Sequence, residues 1–87
     1  MNNKVLVKII AFSFDKDFDC FLPINEKIFN IKKIVLKYLL DKNEISEDEI
    51  NNYILANVRT NIIYNNDDRI GNTDIRNCSE ILLLKTN

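Results

Sequence analysis

Histidine and tryptophan are absent from the chain, and glycine and proline occur once each. Each shortage removes a class of function. Without histidine the commonest general base is missing, and so is a frequent zinc ligand. The two cysteines, Cys20 and Cys78, have no CxxC spacing, so no structural zinc site is expected. Two isolated thiols fit a reducing compartment. A lone Gly71 leaves no glycine-rich phosphate loop, and so little Gly and Pro argues against linkers and against a loop-rich scaffold. Long apolar runs are also missing. The N-terminal apolar stretch is short and broken by Lys8, too short for a signal peptide or a membrane span, so a cytoplasmic location is expected. Twelve basic residues stand against 13 acidic ones, a net charge of -1, which gives no electrostatic reason to expect nucleic acid or anionic lipid as a partner.

What is present suits one globular domain spanning residues 1–87. An apolar fraction of 46% with 29% charged residues is enough to build a core, so disorder is not expected. From Lys4 to Phe12 the sequence alternates, with Val5, Val7, Ile9 and Ala11 on one face, and predicts a strand. Asp15 to Asp17 read as a polar turn. A second strand follows, with Phe18, Cys20 and Leu22 on one face, ending at Pro23 because proline cannot donate to a sheet ladder. Lys27 to Lys42 predicts a helix, possible caps lying near Asn25. Its apolar stripe is Ile28, Ile31, Ile34, Val35, Tyr38 and Leu39, with Lys32, Lys33 and Lys37 on the solvated side. Ser46 to Glu49 forms a capping box and predicts a short helical turn. Tyr53 to Val58 is a third strand, Ile62 to Tyr64 a short fourth, Ile70 to Ile75 a helical turn, and Glu80 to Lys85 the last strand.

No catalytic constellation emerges. Ser13, Ser46 and Ser79 lack triad partners. Asp15, Asp17 and Asp19 superficially suggest a calcium loop, but the downstream glycine and bidentate glutamate are missing, which favours a solvated turn. Cys78 has Arg76 close in sequence but no histidine to activate it. The expectation is a protein that is not an enzyme, with no cofactor and no metal.

One helix that must bury its stripe on one face of a small mixed sheet is the β-grasp arrangement, an α+β fold with the first and last strands parallel at the centre. Here the chain resembles ubiquitin and its relatives from Lys4 to Lys85. Leu22, Ile28, Ile31 and Val35 repeat that superfamily's core spacing from second strand into helix. Ile70, Ile75, Ile81 and Leu83 repeat it from the helical turn into the last strand. Within the superfamily, "DCFLPI" and "GNTDIRNCSEILLL" are most similar to the YukD/EsaB group, small bacterial ubiquitin-like proteins that accompany type VII (WXG-type) secretion systems. In that group the last strand follows a turn such as Asn-Gly-Asp. Here the turn is Asn77-Cys78-Ser79, without the glycine; Asn77 can adopt a positive φ, whereas Cys78 does so poorly.

The resemblance also implies what the chain does not do. Conjugated relatives and sulfur carriers present a slim Gly-Gly tail, whereas this sequence has Lys85-Thr86-Asn87 and no glycine after Gly71. Neither conjugation nor sulfur transfer is therefore expected. What remains is binding to protein partners, membrane secretion components among them, by contact and without membrane insertion. Leu6, Ile10, Ile54, Leu82 and Leu84 are the candidate contact residues, because alternation turns them away from the helix, with Leu55 the alternative to Ile54 on the third strand. Phe12, Tyr53 or Tyr64 folded over them would instead make a second small core. A homodimer, or a β-grasp binding or inhibitor module of an unrelated pathway, is the alternative.

Overall fold

The computed structural model describes residues 3–86. Four strands, β1 (Lys4–Ala11), β2 (Lys16–Pro23), β3 (Tyr53–Asn57) and β4 (Glu80–Lys85), form one sheet in the order β2-β1-β4-β3. β1 pairs antiparallel with β2 and parallel with β4, and β3 closes antiparallel on the other side of β4. The main helix α1 (Ile28–Leu40) crosses one face, and a short helix α2 (Glu47–Asn51) leads into β3. This is the expected β-grasp, with the first and last strands parallel at the centre and Pro23 ending an edge strand.

Alternation fixes the two faces. Val7, Ile9 and Ala11 of β1, Leu22 of β2, Leu55 of β3, and Ile81 and Leu83 of β4 point under α1 and are buried. Ile28, Ile31, Val35 and Leu36 come down on them from α1. Ile70, Ile75, Ile45 and Ile50 close the sides of this core. All eight residues that carried the spacing argument lie in it.

Several local expectations are corrected. The turn after β1 is a 3-10 turn over Phe12–Phe14, with Asp15 left-handed at φ 54°, while Lys16 and Asp17 already belong to β2. The anticipated strand over Ile62 to Tyr64 is reduced to a single bridge between Ile63 and Ala56. Asn25 does not cap α1. The neighbouring loop does so with main-chain carbonyls: Ile28 N donates to Asp68 O at 2.9 Å and Phe29 N to Asn66 O at 3.0 Å. These carbonyls supply partners for N–H groups that no helix can satisfy internally. Ser46 behaves as its sequence box requires, its Oγ accepting from Glu49 N at 3.1 Å. Gly71 stands close to Ile24, whose carbonyl oxygen a Cβ would meet at 3.2 Å.

The stripe on α1 is rotated from the expected one. Ile34 and Tyr38 are exposed, whereas Leu36 and Lys32 are buried. Lys32 runs its aliphatic stem through the core margin, and its Nζ donates to Tyr53 O at 3.0 Å, tying α1 to the start of β3. Burial holds its pKa below the usual lysine range. The folded state therefore releases this proton more readily than the unfolded state does. Stability from this residue rises as pH climbs through the lowered pKa towards the ordinary value near 10.5. Lys32→Met keeps the stem and removes the amine. It is expected to stay within about 1 kcal/mol of the parent at neutral pH, while Lys32→Ala loses about 2 kcal/mol. Urea denaturation of both variants from neutral to alkaline pH checks this, the methionine variant lacking the lysine's rise.

The turn before β4 departs from expectation as well. Asn77 does not take the positive φ; Cys78 does, at 72°. The reason lies in the ladder to β1. Asn77 Oδ1 accepts from Leu6 N at 2.9 Å, and Cys78 N donates to Leu6 O at 2.8 Å. With the Asn77 side chain committed to β1, the left-handed residue falls one position later, on a side chain poorly suited to it. Cys78→Gly is expected to raise stability by about 0.5–1 kcal/mol, read as a higher urea midpoint at unchanged slope.

Candidate functional site

Among the described residues no helix lies over the face of the sheet away from α1. Because Val7 and Ile9 are buried inward, Leu6, Lys8 and Ile10 stand outward on β1. By the same alternation Ile54 and Ala56 stand outward on β3, Leu82 and Leu84 on β4, and Asp17, Asp19 and Phe21 on β2. Between the alternatives Ile54 and Leu55, the structure turns Ile54 outward and buries Leu55 completely.

Register decides which of these residues meet. Ile10 lies opposite Leu82, Leu82 opposite Ala56, and Leu84 opposite Ile54. Directly opposed residues on one face are in side-chain contact range. Ile10, Ile54, Leu82 and Leu84 therefore form one apolar cluster around Ala56. Leu6 does not join it. It lies opposite Phe21, and the row between Leu6 and Ile10 is Asp19, Lys8 and Glu80. Leu6 is four residues from Ile10, about 13 Å along the strand. Four of the five candidate residues thus form one cluster, and the fifth, Leu6, stands apart beside Phe21.

The face is not covered by the aromatic residues that had been the alternative. Tyr53 points under α1, buried, and stacks with Phe14 at 6.2 Å between ring centroids. Tyr64 is buried, accepting from Asn57 Nδ2 at 3.1 Å and donating to Asp74 Oδ1. Phe12 is 75% exposed at the end of β1. Ile63, bridged to Ala56, extends the apolar surface beyond β3 and is itself exposed. Sequence reading missed Phe21 and Ile63 as surface residues. Phe21 carried a signal, because it is out of phase with Phe18, Cys20 and Leu22. Ile63 carried none, since its side depends on one bridge.

A smaller apolar surface lies on α1, where Ile34 and Tyr38 are exposed. The Tyr38 ring meets Phe18 edge-on at 5.2 Å, and Lys16 Nζ is 5.9 Å from its centroid. Elsewhere, a hollow beside the turn into β4 is lined by Asn57, Arg59, Thr60, Asp74, Arg76 and Cys78. Asp74 and Arg76 are engaged there. Asp74 accepts from Tyr64 and from Thr60 Oγ1 at 3.0 Å, and Arg76 Nη1 donates to the carbonyls of Thr73 at 2.6 Å and Ile75 at 2.8 Å. Cys20 and Cys78 are both free thiols. Among the described residues no helix is long and apolar enough to cross a membrane.

No family model matches the sequence, and no curated protein does. Solved structures match over nearly the whole chain. An N-terminal ubiquitin-like domain determined in solution superposes with a TM-score of 0.70 at 15% identity, covering 98% of this chain and 77% of that one. The ubiquitin-like domain of an Arabidopsis thaliana protein gives 0.69 at 18%, with 99% of this chain and 81% of that one covered. A chain of the ESX-5 inner membrane complex gives 0.71 at 12%, covering 97% of this chain but only 21% of its own length. At these identities the likeness shows the fold: a ubiquitin-like β-grasp.

Proposed function

We propose that this domain is a non-catalytic protein-interaction module that works in the cytosol and docks through the outer face of its sheet. The observation that carries the reading is the outward-facing, half-buried cluster of Ile10, Ile54, Leu82 and Leu84, over which no described helix lies. An apolar patch left in water on a folded domain marks a contact surface. The proposed setting is a type VII secretion machinery, in which the domain is an accessory or regulatory component. What supports it is the resemblance of "DCFLPI" and "GNTDIRNCSEILLL" to the YukD/EsaB group.

Leu82→Asp tests the reading, since Leu82 sits at the middle of the cluster between Ile10 and Ala56. The variant is expected to keep the parent's circular dichroism and to lose capture of secretion-complex subunits from detergent-solubilised membranes. Retention of the same subunits by both proteins would move the site off this face. Sedimentation of the purified domain separates the alternative: a tight dimer abolished by Leu82→Asp would make a second copy the occupant.

A further inference from the structure

The rim of the outer face bears on the chemistry of its partner. One row of the sheet runs Asp17, Ile10, Leu82, Ala56 from β2 to β3, and Ile63 continues it past β3. At a strand spacing of about 4.8 Å this row is roughly 19 Å long. Its β3 end is apolar and its β2 end is acidic. Asp17 lies beside Ile10, Asp15 stands in the adjoining turn, and Asp19 and Glu80 occupy the next row on either side of Lys8. Lys16 shares a hollow with Ile10, Asp15 and Asp17, but its Nζ lies 5.9 Å from the Tyr38 ring centroid and makes no ion pair with either carboxylate, and Lys85 lies at the far end of β4. The ion pairs among the described residues, Lys27–Asp67 and Lys42–Glu49, lie elsewhere, so the rim carboxylates are not held in any of them.

Resting on the reading of this face as a docking surface, we infer that its occupant is an amphipathic helix with lysine or arginine at one end of its apolar stripe. The basic end lies over Asp15 and Asp17. A helix is the natural cover for a sheet face, as α1 is on the other side. About 13 residues of helix match the length of the row. Its apolar residues take Ile10, Leu82, Ala56 and Ile63 out of water. Its cations meet carboxylates that make no ion pair among the described residues, which sets direction and disfavours an acidic helix.

Two synthetic helical peptides with the same leucine stripe, one ending in lysines and one in glutamates, test this by calorimetry and by amide shift mapping on labelled protein. The lysine peptide is expected to bind about tenfold more tightly. Its shifts should centre on Ile10, Leu82 and Ala56, and added salt should narrow the difference between the peptides. Asp15→Lys with Asp17→Lys should reverse the preference. If that double variant does not fold, Asp15→Asn with Asp17→Asn must erase it. Equal binding, or preference for the glutamate peptide, with shifts still on the outer face overturns the basic partner and leaves the docking face standing. Shifts confined to Ile34 and Tyr38 overturn both. Absence of binding by either peptide at millimolar concentration, or a dimer burying Leu82, overturns the basic helix as occupant.

Discussion

Ile81→Asp is expected to unfold the domain, whereas Leu82→Asp, one residue further along the same strand, is expected to leave it folded. Ile81 is completely buried, in register with Ile9 on β1 and Asn57 on β3. Aspartate there loses the isoleucine's burial, about 2–5 kcal/mol, and adds the desolvation of a carboxylate with no cation beside it, several kcal/mol more. A domain of this size holds only about 5–15 kcal/mol in total. Leu82 points to the opposite face, so its replacement loses about 1 kcal/mol of strand preference and partial burial. Far-ultraviolet circular dichroism and urea titration of the two variants measure the contrast. A folded Ile81→Asp protein would mean that the faces have been assigned the wrong way round.

The second large effect is at Tyr64. Its hydroxyl receives from Asn57 Nδ2 and donates to Asp74, which also receives Thr60 Oγ1, so one buried phenol ties the end of β3 to the segment before β4. Tyr64→Phe leaves the Asn57 amide and one carboxylate oxygen short of a partner, a loss of about 1–3 kcal/mol. The variant also changes the pH profile at both ends. The Tyr64 bond is the main reason that the Asp74 pKa lies below its ordinary value near 3.8, so the stability it supplies is present above that pH and is lost as pH falls through the lowered value. Burial, and then the bond to Asp74, push the Tyr64 pKa up from 10.0 to about 12. Its contribution is complete below 10.0 and is lost as pH rises towards 12. Thermal melts across this range should show a plateau falling away at both ends for the parent. The phenylalanine variant should sit lower on the plateau and lose the alkaline fall that comes from this group.

The strands were legible because period-two alternation leaves little freedom: shifting a strand by one residue would turn Ile9, Ile81 or Leu83 into solvent. The helix was less legible. At about 100° per residue, Lys32 lies only about 40° from Ile28, in the middle of the buried arc, while Ile34 lies about 120° away on the flank. Assigning the lysine to solvent by its charge pulled the expected stripe round towards Ile34 and Tyr38. Nothing local records that a long aliphatic stem can pass through the core margin to reach Tyr53 O. The turn at Cys78 was misjudged for a related reason. The pull on Asn77 comes from Leu6, 71 residues away. The candidate face was legible residue by residue, but its division was not. Separating Leu6 from the Ile10 cluster needs the register that places Lys8 between Asp19 and Glu80.

The parallel pairing of β1 with β4 has a consequence for synthesis. The strand that fills the centre of the sheet is translated last of the four. Until Glu80 to Lys85 have emerged from the ribosome, β1 and β3 have nothing between them, and the hairpin of β1 and β2 offers its apolar residues to any passing chain. Local pairing along the nascent chain cannot replace the missing strand, because the closing contacts join opposite ends of the domain and carry the entropy of a long loop. Folding therefore waits for β4 and is close to all-or-none. A ribosome stalled before Glu80 would hold a chain rich in apolar surface, a natural client for chaperones and proteases.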